Sequence, residues 1–103
     1  MDHSDVMERD VEQRLVNLVK SRGGLCLKWV CPGWAGVPDR IVLFPGGKVV
    51  FVELKRPEGG QMGKLQTWWE KKIKELGFSH WVIWNEEDLR LFVQVELREL
   101  VRE

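Results

Sequence analysis

The chain has 103 residues, 44% of them apolar and 31% charged. That is the profile of one ordinary globular domain, 1–103, and it excludes a disordered or fibrous protein. Lys plus Arg and Asp plus Glu number 16 each, so the formal net charge is zero, which argues against bulk attraction to nucleic acid or anionic membrane. No apolar run approaches the roughly 18–20 residues of a membrane span. Met1-Asp2-His3-Ser4-Asp5 is polar and acidic, and no signal segment is expected behind it. Cys26 and Cys31 match neither a disulfide framework nor a zinc motif, so a reduced, cytoplasmic protein is expected.

Residues 5–21 predict a helix, with Asp5 as its candidate cap and Gly23-Gly24 ending it. Val11, Leu15, Val16, Leu18 and Val19 fill one apolar arc of that helix, and Arg9, Asp10, Gln13, Arg14, Asn17 and Lys20 fill the other side. Glu8 and Glu12 break the pattern by pointing into the apolar arc, which suggests a site. Leu25 to Val30 predicts a short strand, and Cys31-Pro32-Gly33-Trp34-Ala35-Gly36 a loop rich in turn formers. Asp39 to Phe44 and Lys48 to Lys55 predict two strands of a hairpin around Pro45-Gly46-Gly47. After a loop from Arg56 to Gly63, Lys64 to Leu76 predicts an amphipathic helix ended by Gly77. Its apolar face holds Leu65, Trp69, Ile73 and Leu76, with Gln66 at the edge beside Ile73. His80 to Trp84 predicts a fourth strand. Asn85 then caps a final helix with Leu89, Phe92, Val93, Leu97, Leu100 and Val101 at helical spacing. The order αβββαβα predicts an α/β fold, a mixed β-sheet flanked by helices.

The chemistry centres on Asp39 and on Glu53-Leu54-Lys55. Strand alternation puts Glu53 and Lys55 on one face, and the hairpin register decides whether Asp39 joins them. A two-residue loop, Gly46-Gly47, would set Asp39 opposite Leu54; a three-residue loop, Pro45-Gly46-Gly47, sets it opposite Glu53. Pro first and Gly last suit the longer loop, a type I turn followed by a left-handed glycine. Two carboxylates then stand about 5 Å apart at Cβ, an arrangement that calls for a divalent cation between them. Hard oxygen ligands suit Mg²⁺ or Mn²⁺. Lys55 is placed to orient or activate a water, or to neutralise charge on a phosphate.

Gly36-Val37-Pro38-Asp39-Arg40, Val52-Glu53-Leu54-Lys55 fourteen residues beyond Asp39, Leu65-Gln66 opening a helix, and Val11-Glu12-Gln13-Arg14-Leu15 on the first helix resemble the VRR-NUC family of PD-(D/E)xK nucleases. The likeness runs from about the first helix to His80-Trp81-Val82-Ile83. It implies a restriction-endonuclease-like core and a metal-dependent DNA endonuclease. It further implies Asp39, Glu53 and the Leu54 backbone carbonyl as cation ligands, Glu12 as the helix carboxylate completing the site, Lys55 as catalytic lysine and Gln66 as supporting glutamine. Stand-alone members of that family, of phage or bacterial origin, are expected to act as homodimers on four-way junctions.

A zero-charge chain of this size gains DNA affinity by combining two basic surfaces, which also points to a homodimer on branched DNA. Candidate substrate contacts are Lys28, Trp34, Arg40 and Arg56. Lys64, Lys71, Lys72 and Lys74 read as a solvated helix face, and Trp68, Trp81 and Trp84 as core or interface residues. His3 and His80 show no triad or metal spacing. The competing functions are a nuclease-derived binding or assembly module that does not cleave, and a sequence-specific restriction-type endonuclease.

Overall fold

The structure, a computed structural model, describes residues 3–55 and 62–97, with side chains described from Asp10 onward in the first helix. Its elements are α1 (His3–Ser21), β1 (Leu25–Lys28), β2 (Arg40–Phe44), β3 (Lys48–Leu54), α2 (Lys64–Glu75), β4 (Ser79–Ile83) and α3 (Glu86–Phe92), which runs into a π-helical turn (Val93–Leu97). The sequence-derived order and the mixed sheet between helices are both found. The cap expected at Asp5 is not, because α1 already begins at His3 and Asp5 lies inside its first turn. Leu100 and Val101, expected on the last helix, lie outside the described residues. Among the described residues no helix is long and apolar enough to cross a membrane.

The four strands run in the order β1-β2-β3-β4. The first three are antiparallel, and β4 joins β3 in parallel, because the chain crosses over through α2 before returning. Alternation then sorts side chains onto two unlike faces. Val42 and Phe44, with Val50, Val52 and Leu54, face a buried apolar core that α1 closes with Val11, Leu15 and Val19, and α3 with Leu89 and Phe92. On the opposite face Phe51 contacts Trp29, which in turn meets Trp69 of α2, with ring centroids 5.3 and 5.9 Å apart. One face is therefore apolar and buried under α1 and α3, the other aromatic, with α2 packed against it.

That cover is partial. Ile73 is buried, but Leu65 and Leu76, expected on the same buried face, are 54% and 66% exposed. A 12-residue helix seated through its middle turns leaves the side chains of its ends beyond the sheet.

The start of the last helix is well specified. The Asn85 side chain accepts the Asp88 N–H at 3.0 Å, as a cap should, and Asp88 accepts the Trp84 N–H at 2.8 Å in return. Glu96, buried in the π-helical turn, is satisfied by Trp81 Nε1 and Lys48 Nζ, each at 2.7 Å, as a buried carboxylate must be.

The hairpin register is the one the three-residue loop predicts, with Phe44 paired to Lys48 and Arg40 to Val52. The turn differs in detail. Gly46 as well as Gly47 has positive φ, 86° and 84°, whereas a type I turn holds its second central residue near −90°. Pro followed by a positive-φ glycine is the type II pattern, which the Pro-Gly pair favours.

Candidate active site

With Arg40 opposite Val52, the preceding residue Asp39 stands opposite Glu53 at the open end of the hairpin. Backbone bonds hold it there: its carbonyl accepts the Trp29 N–H at 3.0 Å, and its Oδ2 accepts the Leu54 N–H at 2.7 Å. The next amide, Lys55 N–H, turns the other way to the Ile83 carbonyl, 3.0 Å distant. N–H and C=O of one strand residue point to the same edge, so the Leu54 carbonyl is directed to the Asp39 side, as the cation-ligand role expected of it requires.

Glu53 projects onto the aromatic face beneath the N-terminus of α2 and is only 2% exposed. Its Oε2 receives Lys55 Nζ at 3.3 Å and the side-chain amide of Gln66. Gln66 Oε1 in turn accepts Lys55 Nζ at 2.6 Å and the Gly63 N–H at 3.0 Å. Gln66 thus ties the start of α2 to both charged groups of β3. It joins the site and also caps its own helix.

The electrostatics are those of a site short of positive charge. Burial, then the neighbouring Asp39 carboxylate, push the Glu53 pKa up to about 7, with Lys55 opposing. Asp39 is also raised, chiefly by burial, against the pull of the Leu54 N–H. Among the described residues Glu53 Oε1 is buried without a hydrogen-bond partner. A buried, unpaired carboxylate oxygen beside a second carboxylate is costly, and either a proton or a cation in the gap relieves that cost. The donors available, two carboxylates and a backbone carbonyl, suit a hard divalent ion.

Glu12, expected as the helix carboxylate completing the site, is engaged by Arg40. Arg40 Nε and Nη2 both reach Glu12 Oε2, at 2.9 and 2.8 Å, and Arg40 Nη1 donates to the Cys26 carbonyl at 3.1 Å. The cause is alternation: Arg40 shares the side of Val52, facing α1, while Asp39 looks the other way. Glu12 lines the cleft beside Asp39 but is held by Arg40. Among the described residues no three acidic, histidine or cysteine side chains converge as a metal cluster. Arg40, expected to touch substrate, is likewise committed to Glu12 and Cys26. The Glu8 side chain and Arg56 lie outside the described residues.

A cleft of about 290 Å³ opens over this end of the sheet, lined by Glu12, Lys28, Val37, Pro38, Asp39 and Leu54 among others. Lys28 therefore stands on its rim, where a phosphate contact was expected. Trp34 does not line it. It packs edge-on against Trp69, centroids 5.7 Å apart, over a separate hollow. Trp68, expected in a core or interface, is 47% exposed. Trp68 points about 100° away from Trp69, off the face that Leu65, Trp69, Ile73 and Leu76 share, and that offset was the signal that it turns outward.

The fold is that of a VRR_NUC domain: a solved structure so described is similar with a TM-score of 0.80, at 23% identity, over 87% of this chain and 97% of its own. No family model matches the sequence. A stretch of 52 residues is 48% identical to "Putative nuclease p44" of Acyrthosiphon pisum secondary endosymbiont phage 1. That stretch is 50% of this chain and 56% of the relative, so the match spans about half the length of each.

Proposed function

We propose that the chain is a metal-dependent DNA endonuclease. The observation that carries this reading is the pairing of Asp39 with Glu53, whose Oε1 is buried without a partner among the described residues, beside a lysine fixed by Gln66. The VRR_NUC fold and the phage relative described as a nuclease support it. Asp39, Glu53 and the Leu54 carbonyl would hold Mg²⁺ or Mn²⁺, which supplies Lewis acidity toward a phosphate and a water. Lys55 Nζ, 13% exposed in its side chain, presents a fixed positive charge to the developing charge on the phosphate. Gln66 keeps that ammonium in place. Lys28 on the rim offers the entering strand an exposed cation. Four-way junctions as preferred substrate, cut by a homodimer with twofold-related sites, belong to the same proposal.

The test is incubation of plasmid, linear duplex and four-way junction DNA with Mg²⁺ or Mn²⁺ and, separately, with EDTA. Cleavage that needs the cation and is lost in Lys55→Ala, while that variant still binds Mn²⁺ at pH 8.5, is the expected result. Cleavage undiminished in EDTA, or none of any DNA with either ion, overturns the proposal. Equal rates on junction and duplex, with light scattering at monomer mass, remove the junction and dimer parts alone.

A further inference from the structure

The aromatic face does not end at the sheet. Phe78, Phe51, Trp29 and Trp69 form a chain of ring contacts with centroids 5.3 to 5.9 Å apart. At Trp69 the chain forks to Trp34 and Trp68, at 5.7 and 5.1 Å. These last two are 59% and 47% exposed, and Leu65 beside them 54%. With Gly33 and Ala35 they line a hollow of about 330 Å³. Such a contiguous surface costs free energy in water, unlike apolar residues scattered singly.

Its surroundings identify the occupant. Lys64, Lys71 and Lys72 lie four before, three after and four after Trp68, the helical positions that surround it on the surface. Lys72 Nζ stands 5.6 Å from the Trp68 ring centroid. No acidic residue occupies those neighbouring positions, although Lys72 also pairs with Glu75 at 3.7 Å, so a local basic rim flanks the Trp68 indole in a chain whose net charge is zero. An apolar protein partner gains nothing from that rim; a nucleic acid strand gains twice, because every base offers a π-face and every phosphate a negative charge.

The hollow also shares a wall with the catalytic cleft. One loop supplies Gly33, Trp34 and Ala35 to the hollow and Val37, Pro38 and Asp39 to the cleft. That loop is fixed against α2. Trp69 Nε1 donates to the Ala35 carbonyl at 3.0 Å, and a Cβ on Gly36 would lie 2.5 Å from Leu65 Cβ.

We infer that Trp34 and Trp68 form a stacking platform for unpaired nucleobases of a DNA strand running past the Asp39–Glu53 site. The inference rests on the nuclease reading for the identity of that site, and it narrows the substrate to DNA with unstacked bases next to the scissile phosphate. Branch points, flaps and single-stranded tails have such bases; continuous duplex does not.

The test measures binding, without cleavage, by fluorescence anisotropy in EDTA at low ionic strength. The probes are a blunt hairpin duplex, the same hairpin with a short thymine extension, and that extension built of abasic nucleotides. Wild type should prefer the thymine extension over the other two. Trp68→Ala and Trp34→Ala should each weaken that binding by about tenfold or more and move the abasic probe little. Trp68→Phe, which keeps a π-face, should recover most of the loss. Equal weakening on all three probes, no weakening, or no binding by wild type overturns the platform. So does a drop in molecular mass on Trp68→Ala with DNA binding intact, which would give this face to a second copy. Wild-type cleavage with Mn²⁺ is scored separately. If it is absent while the selective binding loss is present, the nuclease reading fails and the platform stands.

Discussion

Lys55 and Gln66 meet at 2.6 Å, amine to amide oxygen, across the gap between the end of β3 and the first turn of α2. The same amide group reaches Glu53 through its nitrogen and the Gly63 N–H through its oxygen. One uncharged side chain therefore fixes an acid, a base and a helix terminus together. Gln66→Ala should lower the cleavage rate by about tenfold to a hundredfold, the range typical when a group that orients a metal ligand is lost. It should also cost about 1–2 kcal/mol of stability, from the stranded Glu53 and the lost terminal bond. Cleavage kinetics and urea unfolding of the same preparation check both.

The cation ligands separate by their partners. Asp39→Asn and Glu53→Gln should each abolish cleavage and weaken Mn²⁺ affinity at least tenfold in calorimetric titration, with the fold intact. Glu12 is held by Arg40 at 2.8 Å, so Glu12→Gln should change Mn²⁺ affinity much less than either. Equal loss in all three variants would show that Arg40 releases Glu12 to the cation.

The raised Glu53 pKa makes a pH prediction with a definite sign. Folding lifts it from 4.5 to about 7, so the folded state favours the protonated acid. The resulting stabilisation is complete below pH 4.5 and is lost as pH rises through 7. It amounts to about 3 kcal/mol at most. Asp39 is shifted in the same direction. In EDTA, Glu53→Gln should match wild type in urea stability at pH 4.5 and exceed it at pH 8. Mn²⁺ should raise the wild-type melting temperature at pH 8 and do so much less at pH 5, where protons compete for the carboxylates.

Gly36 has φ +81°, and a Cβ there would strike Leu65. Gly36→Ala combines backbone strain with a clash and should destabilise the protein by about 2–3 kcal/mol. A melting temperature within a degree or two of wild type would show that the loop is not fixed against α2.

Much of this site could be read from the sequence because its determinants are local. Pro45-Gly46-Gly47 sets the loop length, loop length sets the register, and the register brings Asp39 opposite Glu53. Asn85 caps its helix by a bond three residues on, equally local. The Arg40–Glu12 pair was hidden for a different reason. Alternation separates Arg40 from Asp39, but nothing local says which face of the sheet α1 covers. Leu65 and Leu76 show the same limit: helical spacing puts them in line with Ile73, but how far α2 extends past the sheet is a tertiary fact. Trp68 could have been placed outside by noticing that it lies off the helical face shared by Leu65, Trp69, Ile73 and Leu76.

The register has one further consequence. Phe44 at the loop lies five positions along the chain from Asp39 at the cleft, about 17 Å of strand, and over that length only odd or even spacing is transmitted. Shortening the loop by a single glycine would invert the parity: Asp39 would turn toward α1 and Arg40 toward Glu53, placing a cation where a carboxylate stands now. The loop touches no substrate, yet it decides which of two neighbouring residues the cleft receives. Insertions and deletions there should be tolerated in pairs and rejected singly, a rhythm set by the pleat rather than by the chemistry it serves.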